Sequence, residues 1–312
     1  MRIAVLDDWQ GVARGLADWS RLEGLAEPVF FSDPIPPERA ADVLADFEIL
    51  LPLRERMAFP AALIDRLPQL RMISLTGRRN GSVDLAALDR RGIAYSFTQP
   101  EDGSDASAAE LALGLMLAAA RHIPQAHHAV QAGGFQRGVS LGRSLNGQTI
   151  GIIGLGRLGQ QMAAYCRALG MRVVAWSPNL TPERAAEAGA QCAGKAELLA
   201  MSDVISLHMV LGPSTRNLIG AEDLARMRRG CILVNTSRGG LIDQAALVAA
   251  LREGTIWAAL DVFEEEPLRT DDPILTAPNT VLTPHLGYCV STKLESFYRQ
   301  AIANILAFAA KG

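Results

Sequence analysis

Short apolar runs and helix-like segments alternate along the chain. In its first third, IAVL (3–6), PVFF (28–31), EILLPL (48–53), RMISLT (71–76) and IAYSF (93–97) read as strands. Between them, PPERAADVLADF (36–47) and PAALIDRL (60–67) open on proline and carry apolar residues at helical spacing, so they read as helices. Strands that alternate with helices pair in parallel through crossovers, which predicts an α/β domain.

A longer apolar helix follows over 104–121, with Ser104 or Asp105 as its N-cap. The next stretch, AGGFQRGVSLGRSLNGQ (132–148), is rich in glycine and polar residues and reads as a surface loop. It contains GVSLG (138–142), which has the spacing of a nucleophile elbow. A hydrolase elbow needs a strand directly before the serine and a helix directly after it, and the pattern shows neither. From Gln148 the alternation restarts with six further strands: TIGIIG (149–154), RVVAW (172–176), DVISLHM (203–209), GCILVNTS (230–237), WAALDV (257–262) and TVLTPH (280–285). They predict a second α/β domain, and LESFYRQAIANILAFAA (294–310) reads as a final amphipathic helix.

Composition narrows the function classes. The 312 residues, 49% hydrophobic and 20% charged, have the make-up of an ordinary globular chain with room for two domains. A net charge of −3 without a basic tail argues against nucleic acid as a partner. No apolar run reaches the roughly 18–20 residues of a membrane span, and the acids in MRIAVLDDWQ (1–10) interrupt any signal-peptide pattern. Cys166, Cys192, Cys231 and Cys289 lie far apart, which speaks against a metal site or a disulfide framework and suits the cytoplasm.

Candidate chemistry starts at GLGRLG (154–159). Gly154, Gly156 and Gly159 stand as G-x-G-x-x-G between an apolar run and a helix-like segment that begins with Arg157 and Leu158. The first glycine allows a tight turn, the second lets backbone N–H groups approach a pyrophosphate, and the third permits close helix–strand contact. The helix N-terminus adds partial positive charge for the phosphates. A dinucleotide is therefore the expected ligand. Ser177 stands where an Asp or Glu would bond the ribose and repel a 2′-phosphate, and Arg184 follows nearby and could pair with such a phosphate. These residues leave NAD against NADP open; NAD is taken as the cofactor, with NADP not excluded.

Three polar groups lie just beyond predicted strands: Arg238, the run Glu264–Glu265–Glu266, and His285. In an open α/β sheet ligands collect at the carboxyl ends of strands. An arginine can fork onto a carboxylate and polarise an adjacent carbonyl. A histidine can exchange the proton when hydride moves on or off carbon, and a carboxylate beside it fixes its tautomer. The set suits oxidation of a 2-hydroxy acid or reduction of a 2-keto acid, although each residue taken singly also fits a solvated or structural role. His122, His127 and His128 fall in a polar region and carry no assigned chemistry.

With these motifs in hand, the chain resembles the D-isomer-specific 2-hydroxyacid dehydrogenases. The resemblance runs through SAAELALGLMLAAARHIPQA (107–126), NGQTIGIIGLGRLGQ (146–160), CILVNTSRGGLIDQAAL (231–247), LDVFEEEPL (260–268) and TPHLGY (283–288). It implies two Rossmann-like/flavodoxin-like doubly wound parallel-sheet α/β domains with a cleft between them. Residues 1–98 with 287–312 would form the substrate domain and 99–286 the dinucleotide-binding domain. By the same resemblance Arg238 binds substrate, Glu266 supports the histidine, and His285 is the acid/base. Asp261 would meet the nicotinamide carboxamide, while His208, Met209, Thr236, Ser237 and Gly287 line the cofactor.

The substrate loop departs from the family pattern. It reads LTGRRNGSVD (75–84), so Gly77 and Arg78 match best, while Arg79 and Asn80 replace small residues. The added cations suit a substrate with a second anionic group, or they are solvated loop arginines. A homodimer is expected from the family, with the apolar helix over 106–120 as a seam or as a buried element of a monomer. The chain stops short of the regulatory domain carried by many long phosphoglycerate dehydrogenases, so feedback control by such a module is not expected. The competing reading is an NAD(H)-sensing binding protein or corepressor on the same fold.

Overall fold

Every apolar run read as a strand forms one, and the strands assemble into two all-parallel sheets in a computed structural model that describes residues 1–78, 80–99 and 105–311. The chain divides into two compact units, Met1–Asp105 with Cys289–Gly312, and Ala106–Tyr288. In the first, β1 (Arg2–Val5), β2 (Glu27–Phe30), β3 (Ile49–Leu51), β4 (Met72–Leu75) and β5 (Ala94–Phe97) lie in the order β2-β1-β3-β4-β5. Its core gathers Ala4, Leu50, Ile73, Leu75, Ile64 and Leu88. The last helix, Ser291–Ala309, belongs to this unit and buries Leu294, Phe297, Tyr298, Ala301, Ile302 and Ile305.

The second unit holds β6 (Thr149–Ile153), β7 (Arg172–Trp176), β8 (Gln191–Cys192), β9 (Val204–Leu207), β10 (Cys231–Asn235), β11 (Ile256–Leu260) and β12 (Thr280–Leu282). They run β12-β11-β10-β9-β6-β7-β8. All five residues of β6 are buried because both faces of the sheet are covered. Ile150 and Ile152 pack in one layer with Ala112, Leu115, Met162 and Ala163, whereas Ile153 packs in the other with Leu198 and Leu199. Gly151 on that second face leaves room for Leu198, whose Cδ2 would lie 2.4 Å from an added Cβ.

Several sequence expectations need correction. The sheet of the second unit has seven strands rather than six; β8 is a two-residue edge strand, too short to produce a periodic signal. The long apolar helix is Ser107–Ala120, and its N-cap is Ala106 without a side-chain cap. Asp105 is drawn instead to the Lys293 ammonium, and Ser104 lies outside the described residues. An unforeseen helix, Ile123–Gln131, takes up His127 and His128 and buries none of its residues. Residues 138–146 form neither strand nor helix, so GVSLG has no elbow geometry.

The switch point of the second sheet lies between β6 and β9, the strands from which the chain departs in opposite directions. His208 follows β9 there. Its N–H donates to Ile153 O (2.8 Å), and its ring Nε2 lies 2.9 Å from Ser206 Oγ. Burial of the ring pushes its pKa down to about 4, from an ordinary 6.5. The folded state therefore prefers neutral imidazole, and the unfolded state takes up a proton first as pH falls. His208 stabilises fully above pH about 6.5, and that contribution drains away between there and about pH 4. The apo protein should lose thermal stability over this window more steeply than His208→Gln; parallel melting-temperature profiles would remove His208 from the balance.

Candidate active site

Because all strands of the second unit are parallel, the carboxyl ends of β12, β11, β10, β9 and β6 share one edge. The glycine loop leaves β6 at that edge. Gly154 has φ +100, and a Cβ there would stand 2.5 Å from His208 O, so only glycine fits between the loop and the end of β9. A Cβ on Gly159 would meet Gly154 O at 2.1 Å, which shows how closely the helix Arg157–Ala168 seats on the turn. Gly156 has open space around the same point, leaving its backbone approachable. This cradle, followed by a helix N-terminus, fits a dinucleotide pyrophosphate. Ser177 lies beside it: its Oγ accepts from Leu155 N–H (3.1 Å). Met209 also borders the turn, with Sδ 3.0 Å from the same added Cβ on Gly154.

At the end of β10, Asn235 is buried and braces the turn that carries Arg238. Its Oδ1 accepts from Ser237 N–H (3.0 Å), and its Nδ2 donates to Arg238 O (2.9 Å). Ser237 Oγ donates to Leu207 O (2.7 Å), and Thr236 Oγ1 donates to Ala108 O (3.3 Å), so this turn is tied to β9 and to the long apolar helix. Arg238 Nη1 donates to Ser237 O (2.7 Å). The next residue, Gly239, lies against the chain after β11: an added Cβ would be 1.9 Å from Phe263 C. Any side chain there would push the arginine turn off the glutamate segment.

Asp261, directly after β11, is fully buried. Its Oδ1 accepts from Thr283 Oγ1 (2.6 Å) and Leu286 N–H (2.7 Å), and its Oδ2 accepts from Gly287 N–H (2.9 Å). Burial raises the carboxyl pKa, while Thr283, the two N–H groups and His285 oppose the rise. His285 N–H donates to Asp261 O (2.8 Å), and His285 takes a left-handed φ of 54°. A histidine in that conformation carries backbone strain, which the Asp261 bonds hold in place.

His285 Nδ1 lies 2.5 Å from Glu266 Oε2, and Glu266 Oε1 accepts from Phe263 N–H (2.8 Å). Among the described residues, Glu266 is the member of the acidic run that meets His285; Glu264 reaches Arg216 (3.5 Å). The Tyr288 ring stands edge-on to His285 with centroids 5.4 Å apart. Ser107 Oγ donates to Gly287 O (2.9 Å), so the start of the apolar helix supports the same loop. Sequence reasoning missed Asn235, Thr283 and Ser107. Asn235 braces its own turn in NTSR, whereas the bonds of Thr283 and Ser107 reach residues far along the chain.

In the first unit, Gly77 follows β4 with φ +90, and its N–H already donates to Thr98 Oγ1 (2.7 Å). That proton is therefore spent on the residue after β5. Arg78 is exposed and its Nε donates to Gln99 Oε1 (3.3 Å). Arg79 lies outside the described residues. Sequence reasoning also missed Arg54, whose guanidinium covers Gly77 and donates to Thr76 O (3.1 Å).

Comparison with known proteins identifies the family. Residues 113–287 match the family model described as D-isomer specific 2-hydroxyacid dehydrogenase, NAD binding domain. A D-3-phosphoglycerate dehydrogenase of Methanocaldococcus jannaschii is 40% identical over 80% of this chain, which spans 47% of that protein. Similar coverage, about half of the relative's length, holds for the Rattus norvegicus enzyme of the same name. A glyoxylate reductase of Aeropyrum pernix is 38% identical, with 79% of this chain and 76% of the relative covered. A solved structure described as phosphoglycerate oxidoreductase from Vibrio cholerae superposes with a TM-score of 0.94 at 37% identity, covering all of both chains. The chain belongs to the D-isomer specific 2-hydroxyacid dehydrogenase family and carries that family's NAD binding domain.

Proposed function

We propose that the chain is an NAD-dependent dehydrogenase that interconverts a small D-2-hydroxy acid and its 2-keto acid. The observation that carries this reading is the Glu266–His285 pair, 2.5 Å apart, on the same sheet edge as the glycine cradle. Relatives named D-3-phosphoglycerate dehydrogenase and glyoxylate reductase support it. Bound NAD supplies a hydride acceptor, and NADH a donor.

The roles follow from the contacts. Glu266 holds Nδ1–H of His285, which leaves Nε2 as the atom that exchanges a proton with the substrate oxygen. In oxidation Nε2 takes the hydroxyl proton as hydride leaves C2; in reduction Nε2–H returns it to the developing alkoxide. The carboxylate compensates the imidazolium charge. Arg238 holds the substrate carboxylate by a two-pronged bond and polarises the C2 oxygen. Gly154, Gly156, Arg157, Leu158 and Gly159 hold the pyrophosphate, with Ser177 beside the adenosine ribose. His208, Met209, Thr236, Ser237, Asp261 and Gly287 complete the cofactor seat.

A homodimer is part of this proposal. The helix Ile123–Gln131 buries none of its residues, and Ile123, Val130, Phe135 and Leu141 expose 51%, 60%, 74% and 98% of their surface. Exposed apolar side chains on this helix and the segment after it suit a self-complementary seam. The helix Ser107–Ala120 buries Ala109, Ala112, Leu115 and Met116 within its own unit and leaves Leu111, Leu113 and Leu117 half-buried, so it stands as a second candidate for the seam. A cytoplasmic location suits four cysteines that are all free. Among the described residues no helix is long and apolar enough to cross a membrane.

NADH oxidation measured with glyoxylate, hydroxypyruvate and phosphohydroxypyruvate should show steady turnover with at least one. Tight cofactor binding without turnover of any 2-keto acid would favour a nucleotide sensor. His285→Asn should lower kcat by roughly 10²–10⁴ while cofactor affinity changes little; wild-type rates would sink its role. Arg238→Ala should cost about 10²-fold or more in kcat/KM, as two charge-assisted bonds of about 1.5–3 kcal/mol are lost, and Arg238→Lys should restore only part of it. Unchanged kinetics would take Arg238 out of the site. In sedimentation velocity the wild type should run as a dimer and Leu141→Asp with Phe135→Asp as a monomer; a monomeric wild type would overturn the seam.

A further inference from the structure

The turn after β7 is where a dinucleotide site of this topology distinguishes a free ribose 2′-hydroxyl from a 2′-phosphate. A carboxylate there accepts from the hydroxyl and repels the phosphate. Between Val173 and Pro182 the chain has no Asp or Glu. Ser177 directly follows β7, and its Oγ already accepts from Leu155 N–H of the glycine loop (3.1 Å). The hydroxyl proton remains to be donated, and a donor serves a ribose oxygen and a phosphate oxygen equally.

The next element supplies the opposite charge. The helix Pro182–Glu187 starts at the Thr181 cap, and from it the exposed Arg184 reaches back so that Nη1 donates to Asn179 O (3.4 Å). This contact brings the guanidinium to Asn179 within the 177–181 turn, and its planar fork of N–H donors matches phosphate. Arg157, exposed in the first turn of the helix after the glycine loop, adds a second cation. Two acids stand against them on the same short helix, Glu183 and Glu187. Glu183 is bonded to the Thr181 hydroxyl and to its own N–H, which hold its carboxyl below the usual range, so it stays anionic but turned to the cap. Both acids are exposed and solvent-screened.

We propose that the adenosine-ribose subsite of this chain accepts a 2′-phosphate, with Ser177 and Arg184 as its specificity-determining residues, so that NADP(H) binds at least as tightly as NAD(H). The inference rests on the dehydrogenase reading for the existence of the cofactor site, and it departs from the NAD preference implied by the family model. Arg184 replaces the repelling carboxylate with an attracting cation, and Ser177 keeps the contact to the glycine loop without excluding the phosphate.

Equilibrium binding tests it without any substrate. Dissociation constants for NADPH and NADH are taken from nucleotide fluorescence, and those for 2′,5′-ADP and 5′-AMP from calorimetry, all on the full chain at low salt. The expected NADPH:NADH affinity ratio is one or greater, with 2′,5′-ADP bound more tightly than 5′-AMP. Arg184→Ala should shift the NADPH:NADH ratio about tenfold towards NADH, as one charge-assisted contact is lost. Ser177→Asp should shift it further in the same direction. NADPH bound ten times more weakly than NADH, or a ratio unmoved by Arg184→Ala, would overturn the proposal while leaving the dehydrogenase reading intact. Binding of neither dinucleotide would overturn both.

Discussion

The buried carboxylate of Asp261 sets the form of the sheet edge on which the chemistry is assigned. An isolated carboxylate in the interior would cost several kcal/mol, so its place at the end of β11 demands donors. They come from Thr283, Leu286 and Gly287, all in the segment after β12. To deliver two backbone N–H groups to one side chain, that segment must fold back across β11, and His285 at its apex takes a left-handed φ. Asp261 N–H meanwhile donates to Asn235 O, which couples the same point to β10. One side chain thus fixes the histidine's backbone relative to the strand beside it.

The neighbouring strand ends follow the same logic. A parallel sheet covered on both faces has apolar strand interiors, so polar groups accumulate where the strands stop. Asn235 braces the arginine turn, and Ser206 holds the neutral ring of His208. Glu266 is oriented from one side by Phe263 N–H and bonds His285 with its other oxygen. The Arg238 turn and the Glu266 carboxylate are therefore held by polar groups, Asn235 and the Phe263 N–H, that have no part in the reaction. Gly239 and Gly154 contribute by what they lack, since a Cβ at either would collide with the backbone of the adjoining strand end.

Much of this was legible in the sequence because apolar runs in parallel sheets are nearly continuous, and because Arg238, Glu266 and His285 follow those runs directly. The choice of Glu266 from three consecutive glutamates was not available from spacing. It came from family resemblance, and the contact with His285 agrees with it. The brace of Asn235 on Arg238 is local, but the bond of Thr283 to Asp261 joins residues on different strands and leaves no periodic trace. The edge strand β8 was lost for lack of length. The cap expected at Asp105 was lost because Lys293, far along the chain, competes for its carboxylate.

The first unit shows how a departure from a family pattern can be structural. Asn80 stands where small residues are usual, yet its amide is consumed within the first unit: Nδ2 donates to Arg54 O after β3 (2.7 Å) and Oδ1 accepts from Ser82 N–H in its own loop (2.8 Å). Arg54 N–H donates to Thr76 Oγ1, which donates to Pro52 O, while the Arg54 guanidinium covers Gly77 so closely that an added Cβ would lie 1.6 Å from Nη1. The ends of β3, β4 and β5 are tied together by this set, because Thr98 takes the Gly77 N–H. Asn80 is thus a brace for the loop, and its side-chain hydrogen bonds leave the exposed Arg78 as the described residue of this loop best placed to meet an anion.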